Sequence, residues 1–176
     1  MNSYFRRQLA DYVEYHRDPW NCAFHVFGIL SLFTGCVLPL STWQVTAFGV
    51  HLTVAVAAAL PVLIYWLLLD AVVGLAIAGA AALLLFLAAS LANHASLLQT
   101  WSMTVTLIVA GLAFQVIGHR VFERRKPSLT DHPAHLLLGP MFVMAKLLIA
   151  LGFRRDLAAI IEQSPPSSQS GIAVRP

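Results

Sequence analysis

Residues 15–25, YHRDPWNCAFH, stand where this chain turns from charged to apolar, and their reading decides the fold. Before them, Tyr4, Phe5, Leu9, Tyr12, Val13 and Tyr15 recur among Arg6, Arg7, Asp11 and Glu14, so residues 3–17 predict an amphipathic helix lying on a membrane surface. After them, the apolar run from Asn21 to Leu40 has the length, about 20 residues, that crosses a bilayer. Pro39 and Ser41-Thr42 close it. Between the two segments, Pro19 must end or bend the helix. A surface helix therefore breaks into a span, and the break carries His16, Asn21 and His25.

The composition supports a bilayer setting. Of 176 residues, 59% are hydrophobic and 11% are charged, against about 25% charged in an average soluble domain; the mean hydropathy is +0.75. The expectation is an all-α integral membrane protein with one helical domain over residues 1–163. The Pro/Ser-rich remainder from Ser164, SPPSSQSGIAVRP, is expected to be disordered. The N-terminal stretch has basic residues but no apolar core with a cleavage site, so it is not read as a signal peptide. A net charge of +3 raises the question of nucleic acid. The basic residues instead flank apolar segments, where they act as topology signals, and nucleic-acid binding is excluded. Cys22 and Cys36 lack metal or redox spacing and read as packing residues.

Three further spans are predicted, from about Val45 to Leu69 with Pro61 as a kink, from Ala71 to Ala92, and from Trp101 to Gly118. Asp70 stops the second, and Asn93-His94-Ala95-Ser96 connects the third to the fourth. Leu136 to Phe153 is also apolar, but Lys146 near its middle favours a re-entrant or interfacial helix over a crossing. His51 would lie inside the second span and reads as an interhelical hydrogen-bonding residue. Arg6, Arg7 and Arg17 precede the first span, while Arg120, Arg124, Arg125, Lys126, Arg154 and Arg155 follow the fourth. The connections between carry no Lys or Arg. Both termini are therefore expected on the cytoplasmic side of a multi-pass protein.

That topology brings His16 and His25 to the same membrane face as His119. On one unbroken helix, His16 and His25 would point to opposite sides. The break at Pro19 lets His16 fold back toward His25 and toward Asn21, one turn from His25. His119 and Glu123 are four apart and can offer imidazole and carboxylate to one ion. Two histidines plus a carboxylate suit non-haem ferrous iron, zinc takes the same donors, and haem can take axial histidine. Each histidine taken singly also reads as an interfacial side chain bonded to a carbonyl, and Glu123 as a salt-bridge partner in the following basic run. His94 falls at the opposite face; His132 and His135 lie closer by topology.

The segments YHRDPWNCAFHVFG, ANH (92–94), FQVIGHRVFERRKPSL (114–129) and LLLGPMFV (136–143) together resemble a family of small multi-span membrane proteins whose characterised fungal members are iron-dependent 2-hydroxy fatty acid dioxygenases. The resemblance covers about residues 4–153. It implies Fe(II), O2 and the shortening of a 2-hydroxy fatty acid by one carbon, the α-oxidation of fatty acids. It carries the motif histidines onto His16, His25 and His119 and a further one onto His94, against the topological argument. Where an acidic residue is expected after PMFVMA, this chain has Lys146. For such a substrate, Arg124, Arg125 or Lys126 would attract the carboxylate, and Tyr15 or Asn21 would orient the ligands. With no sorting motif, a bacterial inner membrane is the first expectation and the endoplasmic reticulum the second. A membrane carrier relaying protons would instead depend on His51 and His94, and a haem carrier on paired axial histidines.

Overall fold

A computed structural model describes residues 2–47, 49–124 and 135–162. The break predicted at Pro19 is present. Helix α1 spans Ser3–Glu14, with the Asn2 side chain accepting from the Tyr4 N–H at 2.9 Å. Phe5, Leu9, Tyr12 and Val13 form its buried face, the spacing of a helix that packs along one stripe. Helix α2, Pro19–Leu40, begins at Asp18, whose carboxylate accepts from the Trp20 and Asn21 N–H groups. Pro19 sits in the first turn, where its missing N–H costs nothing.

The predicted second span is corrected. Strands β1 (Gln44–Ala47) and β2 (Val50–Thr53) form an antiparallel hairpin with Thr46 opposite His51. Gly49 takes φ +76° in the tight connection, a conformation that glycine adopts without steric cost. His51 is exposed on this hairpin and pairs with the Thr46 hydroxyl at 2.9 Å, so it lies outside a helical span and makes no interhelical hydrogen bond there. Helix α3, Val54–Leu69, has only 16 residues, about 24 Å of rise against roughly 30 Å of hydrocarbon. It continues as a helix through Pro61.

Asp70 ends α3 and caps helix α4, Ala71–His94, through the Val73 N–H. Helix α5, Leu97–Ile117, starts at a capping box made by Ser96 and Gln99, four residues before the expected Trp101. A π-helical segment, Gly118–Glu123, extends it and ends at Arg124 with φ 54°. Helices α6 (His135–Ala150) and α7 (Arg155–Glu162) follow, bent from each other by 120°. Among the described residues, three helices are long and apolar enough to cross a membrane, at Pro19–Leu40, Ala71–His94 and Leu97–Glu123. The bent α6–α7 pair would make a fourth if counted as one span.

Helices α2 and α5 run antiparallel and close together. A Cβ on Gly111 would lie 2.6 Å from Leu32, and one on Gly28 would lie 2.8 Å from the Gln115 amide. Glycines here let the two backbones approach. One apolar core joins α1, the ends of α3 and α4, α6 and α7 through Phe5, Leu9, Trp66, Val73, Phe142 and Leu157. A smaller one, with Leu38, Ala55 and Leu85, sits toward the hairpin. The Arg154 guanidinium pairs with both Asp70 carboxylate oxygens, tying the α6–α7 bend to the α3–α4 joint. Lys146 finds partners, with Nζ 3.4 Å from Cys22 Sγ and 5.3 Å from the Phe142 ring centre. The tail from residue 164, Arg125, Lys126 and His132 lie outside the described residues.

Candidate metal centre

The α1–α2 break, the first turns of α2 and the π-helical end of α5 bring three imidazoles into one buried group. His16, His25 and His119 are each buried, and each offers a ligand nitrogen within 4.8 Å of the other two. The rings stand steeply to one another, with centroids 4.5 to 5.0 Å apart. They meet because α5 can approach α2 closely at this level. A Cβ on Gly118 would sit 2.5 Å from Asn21 Oδ1 and 3.3 Å from Phe24 Cβ.

The hydrogen bonds fix the tautomers. His16 Nδ1 lies 3.0 Å from the Tyr12 carbonyl and His25 Nδ1 lies 2.9 Å from the Asn21 carbonyl. A carbonyl only accepts, so each ring carries its proton on Nδ1 and a lone pair on Nε2. These two Nε2 atoms face each other at 3.1 Å. Two lone pairs at that separation repel unless a positive charge lies between them. A proton is a poor occupant, because burial, reinforced by the neighbouring His25, pushes the pKa of His16 down to about 3. A metal ion fits better: two nitrogens about 2.1 Å from one ion lie near 3.1 Å apart when they are adjacent ligands. His119 adds a buried Nδ1 with no hydrogen-bond partner among the described residues. The carbonyls behind His16 and His25 supply the outer-shell bonds that metal-ligating histidines ordinarily have.

Glu123 does not join this group. Its carboxylate accepts from the Arg17 and Asp18 N–H groups at 3.2 and 3.1 Å and from Asn21 Nδ2 at 3.0 Å. It stitches the end of the π-helical segment to the α1–α2 break. Asn21 connects the two layers, orienting His25 through its carbonyl while its side chain holds Glu123; its Oδ1 is buried with no partner among the described residues. His94 is exposed at the end of α4, bonded to the Ser90 carbonyl at 2.7 Å. The full length of α5, about 31 Å at 1.5 Å per residue, separates that end from His119. Topology therefore describes His94 better than the family resemblance does.

Tyr15 is half-buried and its ring meets His135, at 6.0 Å, rather than the three-histidine group. His135 is buried behind His16, against Tyr12 at 5.4 Å. Arg124 is exposed at the end of the π-helical segment. The residue that sequence reasoning missed is Tyr12. Its ring stacks on His16 at 3.9 Å and 6°, and its carbonyl holds the His16 Nδ1 proton. Its position four residues before His16 was the available signal.

Comparison with known proteins gives one family and one relative. The family described as 2-hydroxy-palmitic acid dioxygenase Mpo1-like matches residues 2–151. The 2-hydroxy-palmitic acid dioxygenase MPO1 of Saccharomyces cerevisiae is 32% identical over 173 residues, covering 97% of this chain and 94% of the yeast protein. No solved structure matches.

Proposed function

This chain belongs to the Mpo1-like family, and from that premise we propose that it is an Fe(II)-dependent dioxygenase that shortens 2-hydroxy fatty acids by one carbon. The observation that carries the reading is the 3.1 Å approach of two lone-pair-bearing nitrogens, His16 Nε2 and His25 Nε2. His16, His25 and His119 would hold the iron. All three are neutral donors, which leaves a divalent ion its charge for an anionic substrate. The metal would supply the redox chemistry with O2 and an attachment point for the substrate's carboxylate and 2-hydroxyl.

The protein's own contribution is placement. Tyr12 and Asn21 hold the ligand rings by their carbonyls, and Glu123 fixes the break from which His16 folds back. Arg124 and Lys126 provide positive charge for the carboxylate. The break, the π-helical segment, Trp66 against the Leu137 carbonyl and Asp70 against Arg154 all gather at one end of the helices. We place that end at the cytoplasmic lipid boundary of a multi-pass protein, with α1 and the α6–α7 pair at the interface and both termini cytoplasmic. A fatty acid dissolved in the leaflet presents its carboxylate at this depth.

The alternatives gain no support. His51 and His94 sit exposed outside the span interiors rather than forming a relay through the membrane. Axial haem ligands stand on opposite faces of a macrocycle, and 3.1 Å between His16 and His25 leaves no room for one. The test is an oxygen-dependent assay of anaerobically Fe(II)-loaded, detergent-purified protein with 2-hydroxypalmitate. A product one carbon shorter, formed only with iron and O2, is expected; absence of turnover in protein that retains iron contradicts the reading.

A further inference from the structure

A cavity of about 110 Å³ lies between α2, α3, α4 and α6. Its α2 wall begins at Val26, the residue after His25, and continues through Ile29 and Phe33, so it runs down the same helix that carries the ligand. Its α6 wall includes Val143 and Met144, which flank the helix face whose Phe142 packs beside Tyr12 and His16. A Cβ on Gly139, one turn earlier, would lie 3.2 Å from Ile29 and 3.3 Å from the Tyr12 hydroxyl, so α6 runs close to both α2 and α1 here. The hollow and the histidine group thus share helix α2, and α6, which lines the hollow, also packs beside His16 through Phe142.

The chemistry of the walls selects the occupant. All twelve lining side chains are apolar. The one lining N–H, on Trp66, is already bonded to the Leu137 carbonyl at 2.8 Å. Water in such a space would have no partner, and an apolar cavity of this kind takes apolar matter or stays empty. On α4, Ala80 and Ala81 contribute only methyl groups, which is what leaves the space open. Leu30, another lining residue, is 44% exposed, so the lining reaches the outer surface of the helices.

We propose that this cavity is the acyl-chain site, which a fatty acid enters laterally from the bilayer with its carboxylate end directed to the histidines. The inference rests on the dioxygenase reading for the head of the substrate. The chain site itself is an independent feature of the walls. Because Ala80 and Ala81 leave the space open on the α4 side, the size of the side chains there also sets the chain length accepted.

The wild-type holoenzyme is irradiated with a 2-hydroxy fatty acid bearing a diazirine at mid-chain, and the labelled peptides are mapped. Label on Val143–Met144 and Ala80–Leu84, displaced by excess 2-hydroxypalmitate, is expected. Label spread over the outward residues Leu75, Phe86 and Val105, or label in the cavity that 2-hydroxypalmitate does not displace, overturns the proposal. In parallel, Ala81→Leu fills part of the cavity from the α4 side. With iron content unchanged, the ratio of kcat/KM for 2-hydroxypalmitate to that for 2-hydroxyoctanoate should fall about tenfold; an unchanged ratio contradicts the assignment. Displaceable label in the cavity without turnover would sink the dioxygenase reading alone, and turnover with label elsewhere would sink the chain site alone.

Discussion

His16 and His25 turn their Nε2 atoms toward each other at 3.1 Å while each commits its Nδ1 to a backbone carbonyl. Neither ring can donate to the other without giving up a buried hydrogen bond, and one positive charge between them removes the conflict. The rest of the site serves that pairing.

The pairing depends on pH with a definite sign. His16 is held near pKa 3 when folded against 6.5 for a free imidazole. Below pH 6.5 the unfolded chain therefore takes up a proton that the folded one refuses, and the metal-free protein should lose stability as pH falls from about 6.5 toward 3. The folded His16 stays neutral well below pH 6.5, so its share of the metal affinity should change little between about pH 8 and 5. Thermal melts and metal titrations across this range check both; affinity that falls steeply near pH 6.5 would show an ordinary, exposed imidazole.

Glu123 is a structural stitch rather than a ligand. Glu123→Ala leaves the Arg17 and Asp18 N–H groups and the Asn21 amide without their acceptor, which should cost about 2 kcal/mol of stability. Glu123→Gln, keeping one acceptor oxygen, should cost less. Denaturation in detergent measures both. Loss of metal from Glu123→Ala at unaltered stability would make it a ligand after all.

Gly118 sets the distance between the helices that carry the ligands. The added methyl of Gly118→Ala would meet Asn21 Oδ1 at 2.5 Å, so α5 must withdraw from α2 at a cost of about 1–3 kcal/mol. His119 would move with it. Reduced melting temperature together with weaker metal retention is expected, and a variant that matches wild type in both would contradict the close packing.

Asp70 and Arg154 hold the α6–α7 bend against the α3–α4 joint. Asp70→Asn leaves the Arg154 guanidinium paired with Asp156 alone and should destabilise by about 1–2 kcal/mol. Limited proteolysis should then cut near the turn at Gly152 first. Unchanged cleavage would show that apolar packing alone holds α6 and α7.

Much of this was legible in the sequence, for identifiable reasons. The break at Pro19 follows from local backbone chemistry, and the meeting of His16, His25 and His119 follows from an even alternation of helix directions. The hairpin over residues 44–53 is hard to see because its residues carry no charge and lead directly into the apolar α3, so length favours a single long span. Only the β-branched Val45, Thr46, Val50 and Thr53 around Gly49 mark it. The start of α5 was written in Ser96 and Gln99, a capping box passed over in favour of hydropathy. The partners of Glu123 are not legible in the sequence, because spacing by four shows which residues share a helix face, not which backbone donors from a distant segment arrive there. His94 entered by resemblance, and the length of α5 explains why it lies apart.

The most direct measurement is iron content after anaerobic Fe(II) loading and gel filtration, for wild type beside His16→Ala, His25→Ala, His119→Ala and His94→Ala, with folding verified by circular dichroism. The account predicts one iron per chain in wild type and His94→Ala and a loss of iron in each of the other three. Iron kept by all the variants, or absent from folded wild-type protein, would contradict it.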